Sequence, residues 1–119
     1  MNIKHDNLKD RTKNFALRII RLVESLPKGK TSDVIGKQLL RSGTSVAANY
    51  RASCRARSRA DFISKMGVVE EEADESIFWM ELLIEAKLVD TSQLVDLITE
   101  ANEMLAITVS SIKTARKSK

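Results

Sequence analysis

Apolar positions along the chain follow the period of an amphipathic α-helix. In the first third of the sequence they recur three, four or seven residues apart, at Leu8, Phe15, Ile19, Leu22 and Leu26. Positions spaced in this way lie on one face of a helix. The only proline, Pro27, marks the clearest break in the pattern. The periodicity predicts four helices, over about residues 7–26, 32–57, 59–87 and 91–115.

Capping residues support the predicted helix starts. Thr31 or Ser32 can cap the second helix, Ser58 the third and Thr91 the fourth. Asp61 follows Ser58 at the spacing of a capping box. Helices of this length with short connections are typical of an antiparallel up-down-up-down four-helix bundle. We therefore predict an all-α fold and a single domain over residues 1–119.

The predicted second helix places polar residues on its inward face. Ile35, Leu39, Val46 and Tyr50 share that face with Ser42 and Asn49. Small side chains allow neighbouring helices to approach closely, and a buried amide needs a hydrogen-bonding partner. We predict that Ser42 and Asn49 form a structural polar core. Asn49 is either an ordinary satisfied core amide or a residue that fixes register or assembly.

Composition and charge narrow the class of protein. With 4 Gly, 1 Pro and 4% aromatic residues, the sequence lacks the frequent turns of β-sandwiches and barrels. One Cys excludes an internal disulfide, and one His excludes the usual Cys/His zinc sites. The net charge of +4 hides a division, since residues 1–60 hold 14 basic and 4 acidic residues, and residues 61–119 hold 6 and 12. A charged beginning and short apolar runs predict neither a secretion signal nor a membrane span.

The basic half of the chain suggests a phosphate-binding surface. The outward face of the predicted second helix and its extension carries no acid and five cations: Lys37, Arg41, Arg51, Arg55 and Arg59. As one straight helix, this row would extend about 33 Å. The guanidinium fork matches phosphate oxygens, which favours nucleic acid as a partner. The alternative is a solvated face that the acids of residues 70–75 neutralise.

The predicted third helix has a second apolar side. Phe78, Trp79 and Leu82 lie away from the stripe that contains Met66 and Ile84. A small monomeric bundle does not need a second apolar face, and large aromatic residues anchor subunit interfaces. We predict that these three residues form an oligomer interface. The alternative is that Trp79 covers an edge of its own bundle.

Catalytic and metal chemistry find little support in the sequence. Cys54 has no nearby histidine to act as a base, and a lone cysteine is commonly a packing residue. The acidic residues of the third helix lack the Glu-x-x-His motifs of di-metal bundles, and the only histidine, His5, precedes the predicted helices. We expect no enzyme activity, no metal and no cofactor.

Several segments together carry a family resemblance. Residues 38–50 contain Arg41-Ser42-Gly43-Thr44-Ser45 followed by Ala47-Ala48-Asn49, and later segments match at residues 61–63, 65–66, 70–75 and 78–83. With the Leu26-Pro27 helix end, this pattern resembles the four-helix-bundle proteins encoded in intervening sequences of bacterial 23S ribosomal RNA genes. The resemblance spans about residues 8–112. Arg41, Asn49, Arg51 and Arg55 match the pattern, whereas Ala52 and Ser53 stand where many members have Glu.

The resemblance implies a left-handed bundle that assembles as a barrel-shaped homopentamer. It also implies kinship with the accessory variability protein of diversity-generating retroelements, which binds nucleic acid and a reverse transcriptase. We therefore expect a cytoplasmic, ring-like homo-oligomer that binds RNA or DNA through the basic face. The alternative is an interaction scaffold that docks an acidic partner protein.

Overall fold

The fold is described by a computed structural model that covers the backbone of residues 3–118 and the side chains of residues 8–118. The helices are α1 (Ile3–Glu24), α2 (Lys30–Ser53), α3 (Arg59–Glu85) and α4 (Thr91–Lys117). Between residues 3 and 118 the chain has no strand, so the all-α class is confirmed. Each helix packs against its neighbours in sequence, and α1 also contacts α4. The result is an elongated bundle of 50 × 22 × 20 Å.

The first two helices begin earlier than the sequence predicts. Helix α1 begins at Ile3, so the backbone of His5 is helical, and its side chain is outside the described residues. Helix α2 begins at Lys30 after Gly29, which has a φ of 152° that side-chain-bearing residues rarely adopt. The carbonyl of Gly29 accepts the Asp33 N–H at 3.0 Å, which closes the first turn. The residues proposed as caps therefore lie inside the helix.

Helix α2 ends at Ser53, four residues before the predicted end. The N–H groups of Arg55 and Ala56 donate to carbonyls three residues back, a tighter turn than the α-helix. Ser58 then has an extended backbone, and its hydroxyl caps α3 by accepting the Asp61 N–H at 3.0 Å. Residues 54–58 thus connect the two helices, and Ser58 supplies the non-helical backbone that this cap requires.

Helix α4 begins at Thr91, the predicted first residue, but its capping residue lies one position before the predicted cap. Asp90, not Thr91, precedes the helix with an extended backbone. Its N–H donates to the Oε1 atom of Gln93 at 3.2 Å, which satisfies a backbone donor at the helix end. Thr91 becomes the first helical residue.

The core follows the apolar stripes of the four helices. On α3 the most deeply buried positions are spaced alternately by three and four residues, at Met66, Val69, Ala73, Ser76, Met80 and Leu83. The buried positions of helix α4 are likewise three or four residues apart, at Leu94, Leu97, Ala101, Met104, Thr108 and Ile112. Such spacing lines a helix with one narrow seam against its neighbours. Within residues 3–118, none of the four helices combines the length and the hydropathy that a bilayer span requires.

Two contacts fix α1 against its neighbours. Gly43 of α2 faces Ile19, and a Cβ atom built on this glycine would lie 2.9 Å from the Cγ1 atom of Ile19. On the other side, the guanidinium of Arg11 binds both carboxylate oxygens of Glu100 at 2.6 and 2.9 Å and one oxygen of Glu103 at 2.8 Å. Arg11 lowers the pKa of the Glu100 carboxyl, so this bidentate pair favours the ionised form.

Candidate nucleic-acid interface

The five cations predicted as one stripe lie on three different elements. Lys37, Arg41 and Arg51 belong to α2, Arg55 lies in the connection after it, and Arg59 is the first residue of α3. All five are exposed. Because α2 ends at residue 53, the straight part of the row spans only about 21 Å at 1.5 Å per residue. The prediction of a continuous face on one helix is therefore wrong, because Arg55 and Arg59 lie beyond the end of α2.

Arg41 is held by two carboxylates of α3. Its Nη1 atom donates to the Oε2 atom of Glu72 at 3.0 Å, and its Nη2 atom donates to the Oε2 atom of Glu75. These hydrogen bonds, first with Glu72 and then with Glu75, raise the pKa of Arg41. The Arg41 side chain is still 52% exposed. A phosphate at this position would have to compete with two carboxylates that are already bound.

Glu75 joins Arg41 to the predicted oligomer interface. Its Oε2 atom accepts the indole N–H of Trp79 at 3.0 Å as well as the Arg41 guanidinium. The Trp79 hydrogen bond, followed by that from Arg41, lowers the pKa of the Glu75 carboxyl although partial burial opposes the shift. A residue predicted for nucleic acid and a residue predicted for assembly thus share one carboxylate.

Arg51, Arg55 and Arg59 have different surroundings from Arg41. Their side chains are exposed, and none makes an ion pair with any residue between 8 and 118. The alternative raised by the sequence, that residues 70–75 neutralise the basic face, therefore holds for Arg41 and fails for these three arginines.

Further cations surround the connection between α2 and α3. Arg55, Arg57 and Lys65 line a shallow depression that also contains Asp61. Asp61 accepts the Lys65 ammonium at 2.6 Å and the Arg57 N–H at 3.2 Å. The Lys65 bond, more than the Arg57 bond, lowers the pKa of the Asp61 carboxyl. Asp61, the single acid among the described residues of this depression, is thus engaged by the Lys65 side chain and the Arg57 backbone.

Arg59 shares a surface depression with a cation of the last helix. It lines a surface depression together with Arg116 of α4 and the α3 cap Ser58. The end of the bundle formed by the α2–α3 connection is therefore basic on several sides.

The two residues predicted for the polar core have different positions. Ser42 is fully buried, and its oxygen accepts the hydroxyl of Ser76 on α3 at 2.9 Å. Asn49 is only half-buried, and its amide donates to the backbone oxygen and the hydroxyl of Ser45 at 2.9 and 2.8 Å. Asn49 therefore lies only partly in the core. The hydrogen bonds of its amide lie within its own helix, so the described contacts give it no role across helices.

The three predicted interface residues differ in exposure. Phe78 is 51% exposed, whereas Trp79 and Leu82 are half-buried and pack against the hydrophobic core. The rings of Phe78 and Trp79 meet edge to face at 5.0 Å. Trp79 therefore packs partly onto its own bundle, and Phe78 is the most exposed of the three residues.

Cys54 and the possible metal ligands bear on catalytic and metal chemistry within the part of the chain that the structure describes. Cys54 is half-buried and packs against the core. Over the described residues, no group of three His, Cys, Asp or Glu side chains is arranged to hold a metal ion.

Sequence reasoning missed three kinds of residue. Ser76 continues the three- and four-residue spacing through Ala73 and Met80, so its place in the core was readable from that pattern. Lys9 and Lys13 of α1 face α2 beside Arg51, and only the packing of the two helices brings them there. The specific pairing of Glu72 and Glu75 with Arg41 likewise depends on the register between α2 and α3.

Comparison with known proteins places the chain in a family. Residues 5–110 match the family described as 23S rRNA-intervening sequence protein. The chain is also similar to a solved protein of unknown function from the S23 ribosomal protein family of Bacteroides thetaiotaomicron, with 38% identity and a TM-score of 0.87 over 93% of this chain and 99% of that one. Curated proteins gave no significant match. On the family match and the shared fold, the chain belongs to the 23S rRNA-intervening sequence protein family.

Proposed function

We propose that this protein is a non-enzymatic, cytoplasmic homo-oligomer that binds RNA through the basic end of its bundle. The observation that carries the proposal is the exposure of Arg51, Arg55 and Arg59 without an ion pair to any described residue. Arginines left without carboxylates are available for phosphate oxygens, which the guanidinium binds bidentately. The family's link to 23S ribosomal RNA makes RNA the first nucleic acid to test.

The proposed surface is smaller than the row of cations in the sequence. Arg41 is left out because Glu72 and Glu75 occupy its guanidinium. Lys37 is left out because it lies near the other end of α2, in a depression that also contains Glu24 and Asp33. The remaining contacts are few, so a single subunit would bind weakly, and repetition around an oligomer would increase the apparent affinity.

We also propose the antiparallel up-down-up-down arrangement for the bundle. Gly36 approaches Val23 and Leu26, and Gly43 approaches Ile19, so residue numbers rise along α2 as they fall along α1. Each connection has five residues, over 25–29, 54–58 and 86–90. Five residues reach at most about 18 Å, which is half the length of a 24-residue helix. Such connections favour neighbours that run in opposite directions.

A ring-like homo-oligomer, a pentamer by family resemblance, is the proposed assembly. Its support is apolar surface that the subunit leaves exposed, at Leu17, Ile20, Val34, Phe78 and Val95. Light scattering tests it, and a monomer at micromolar concentration would overturn it. Phe78→Ala is the sharpest variant, because Phe78 is the most exposed of the three predicted interface residues. Trp79→Ala and Leu82→Ala would also disturb the core of the subunit.

RNA binding is tested with a labelled single-stranded RNA of mixed sequence at about 50 mM salt, where phosphate contacts contribute strongly. We expect Arg55→Gln/Arg59→Gln to weaken binding about tenfold or more. The control Lys28→Gln/Lys30→Gln removes the same charge from exposed positions at the other end of α2, and we expect little change.

Two results would contradict the proposal. Absence of binding at low salt would exclude nucleic acid as the partner of this surface. Capture of an acidic protein that survives nuclease treatment, and that Arg55→Gln/Arg59→Gln releases, would instead identify a protein scaffold.

A further inference from the structure

A groove between α1 and α2 brings together cations that are distant in the sequence. It has a volume of about 470 Å³, and Lys9, Lys13 and Arg51 stand at its rim beside Thr44, Ala47 and Ala48. The volume falls within the usual range of sites for small molecules. The groove adjoins the basic end of the bundle, because Arg51 belongs to both.

The groove is positively charged without compensation from the described residues. Lys9, Lys13 and Arg51 are exposed, none makes an ion pair with a residue between 8 and 118, and no carboxylate side chain of those residues lines the groove. Elsewhere the same helices pair their cations with acids, as Arg11 does with Glu100. Lys9 and Lys13 are also four residues apart on one helix, where like charges repel. An anion in the groove would relieve this repulsion.

The hydrogen-bonding groups of the groove select the class of anion. The hydroxyl of Thr44 donates to the Leu40 carbonyl at 2.7 Å, and that of Thr12 donates to the Lys9 carbonyl at 3.2 Å. The charged groups that line the groove are the ammonium and guanidinium donors of Lys9, Lys13 and Arg51, which have no acceptor capacity. A ligand that offers only acceptor oxygens, such as a phosphate, fits this set.

The spacing of the donors suits a chain of phosphates. Lys9 and Lys13 are one helical turn apart, a rise of about 6 Å, which is comparable to the separation of successive phosphates along an extended strand. Arg51 approaches from the facing helix, and its planar fork can hold one phosphate bidentately. Ala47 and Ala48 also line the groove, and their small side chains allow a sugar-phosphate backbone to lie close to α2.

We infer that the α1–α2 groove binds consecutive phosphates of a nucleic-acid strand through Lys9, Lys13 and Arg51. The inference rests on the proposed function for the source of the phosphates. It extends the binding surface from the α2–α3 connection onto α1, and it assigns a binding role to two lysines outside the basic row of the sequence.

The test compares two triple variants that lose the same charge. Lys9→Gln/Lys13→Gln/Arg51→Gln empties the groove of cations, and Lys28→Gln/Lys30→Gln/Lys37→Gln removes three exposed cations from the opposite part of the molecule. Glutamine is a good helix former, and the affected side chains are exposed, so both variants should fold. Helicity and the thermal midpoint are measured first to verify this.

Single-stranded RNA and inorganic pyrophosphate serve as separate probes. We expect the groove variant to bind RNA about tenfold to a hundredfold more weakly than the wild type at 0.1 M salt, and the slope of log K against log salt to fall by about 2. The control variant should change affinity much less. For pyrophosphate, we expect a thermal shift of the wild type that the groove variant loses.

The outcomes separate this inference from the proposed function. If RNA binds and the two triple variants weaken it equally, the groove is not the site, and binding at the basic end remains. If RNA does not bind but pyrophosphate does, and only the groove variant loses it, the phosphate site stands and a nucleic-acid strand is excluded as its source. If neither probe binds, both proposals are wrong.

Discussion

The middle of α2 and its C-terminal part look alike in sequence but have different surroundings in the fold. Around residues 41–43, three successive residues are each engaged by a neighbouring helix: Arg41 by glutamates, Ser42 by Ser76 and Gly43 by Ile19. From Ala47 onward, the outward side chains face solvent or the α1–α2 groove. A row of like charges therefore identifies a helix face, whereas the neighbouring helices decide which part of that face is available to a ligand.

The strongest expected effect lies in the middle of α2, at its closest approach to α1. A Cβ atom at Gly43 would lie within 3.2 Å of three atoms of Ile19, including the Cβ atom, which cannot move without the backbone. Ile19 is fully buried, so the contact cannot relax into solvent. We expect Gly43→Ala to lower the free energy of unfolding by about 1–3 kcal/mol, measured by urea denaturation.

Gly67 provides the matched control for this substitution. It also lies within a helix, but a Cβ atom there would meet nothing within 4 Å. Gly67→Ala should therefore raise stability by up to about 1 kcal/mol through helix propensity alone. Equal effects of the two substitutions would mean that α1 and α2 are not closely packed at Gly43.

The buried hydroxyl pair of Ser42 and Ser76 should show a smaller effect. Ser76→Ala removes the donor to Ser42, while the Ser42 hydroxyl keeps its contact with the Leu39 carbonyl at 3.3 Å. We expect each single alanine variant to cost about 1 kcal/mol, and the double variant to cost less than the sum of the two. Chemical denaturation of the four proteins gives the coupling energy. Strict additivity would show that the hydroxyls do not interact.

The sequence was sufficient to predict the all-α class and the four helices, because these depend on local patterns. Helical periodicity, the break at Pro27 and the Ser58 cap are properties of neighbouring residues, and the structure agrees on the all-α class and the α3 start. The predicted end of α2 was wrong because the tighter turn after Ser53, which leads to the Ser58 cap, outweighs the helix-compatible residues that follow.

The candidate site was less predictable because it depends on the register between helices. Asn49 illustrates this, since it is only half-buried and its amide bonds Ser45 of its own helix and not a residue of a neighbouring helix. Arg41 and Arg51 are equivalent in the sequence pattern, yet only Arg41 meets acids of α3. No property of either arginine's own segment distinguishes them.

Paired substitutions test this difference between the arginines directly. Arg41→Gln should lower stability, because it leaves the Glu72 and Glu75 carboxylates without their cation, and it should change RNA affinity by no more than about twofold. Glu72 is only 14% exposed, and its Oε1 atom has no hydrogen bond among the described residues, so Arg41 is its main compensation. The stability loss of Arg41→Gln should shrink at high salt, because the ion pairs of Arg41 are partly exposed.

Arg55→Gln, in contrast, should lower RNA affinity and leave stability unchanged. If Arg41→Gln lowered RNA affinity and Arg55→Gln lowered stability, the proposed difference between the two arginines would be wrong.

The smallest expected effect is a shift in the titration of Glu75. Its folded pKa is below the usual value of 4.5, first because of the Trp79 hydrogen bond and then because of Arg41. The ionised carboxylate is therefore favoured in the folded state. Its contribution to stability is complete above about pH 4.5 and is lost as the pH falls through the lowered folded pKa.

Trp79 is the only tryptophan and donates directly to this carboxylate, so its fluorescence should report the protonation of Glu75. We expect an emission change with a midpoint below pH 4.5 in the folded wild type, with circular dichroism confirming that the helices persist. Arg41→Gln removes one of the two bonds that lower the pKa, so the midpoint should rise towards 4.5. Glu75→Gln should abolish the change. An unaltered transition in Glu75→Gln would show that another acid controls the emission, and that Arg41 and Trp79 do not meet at this carboxylate.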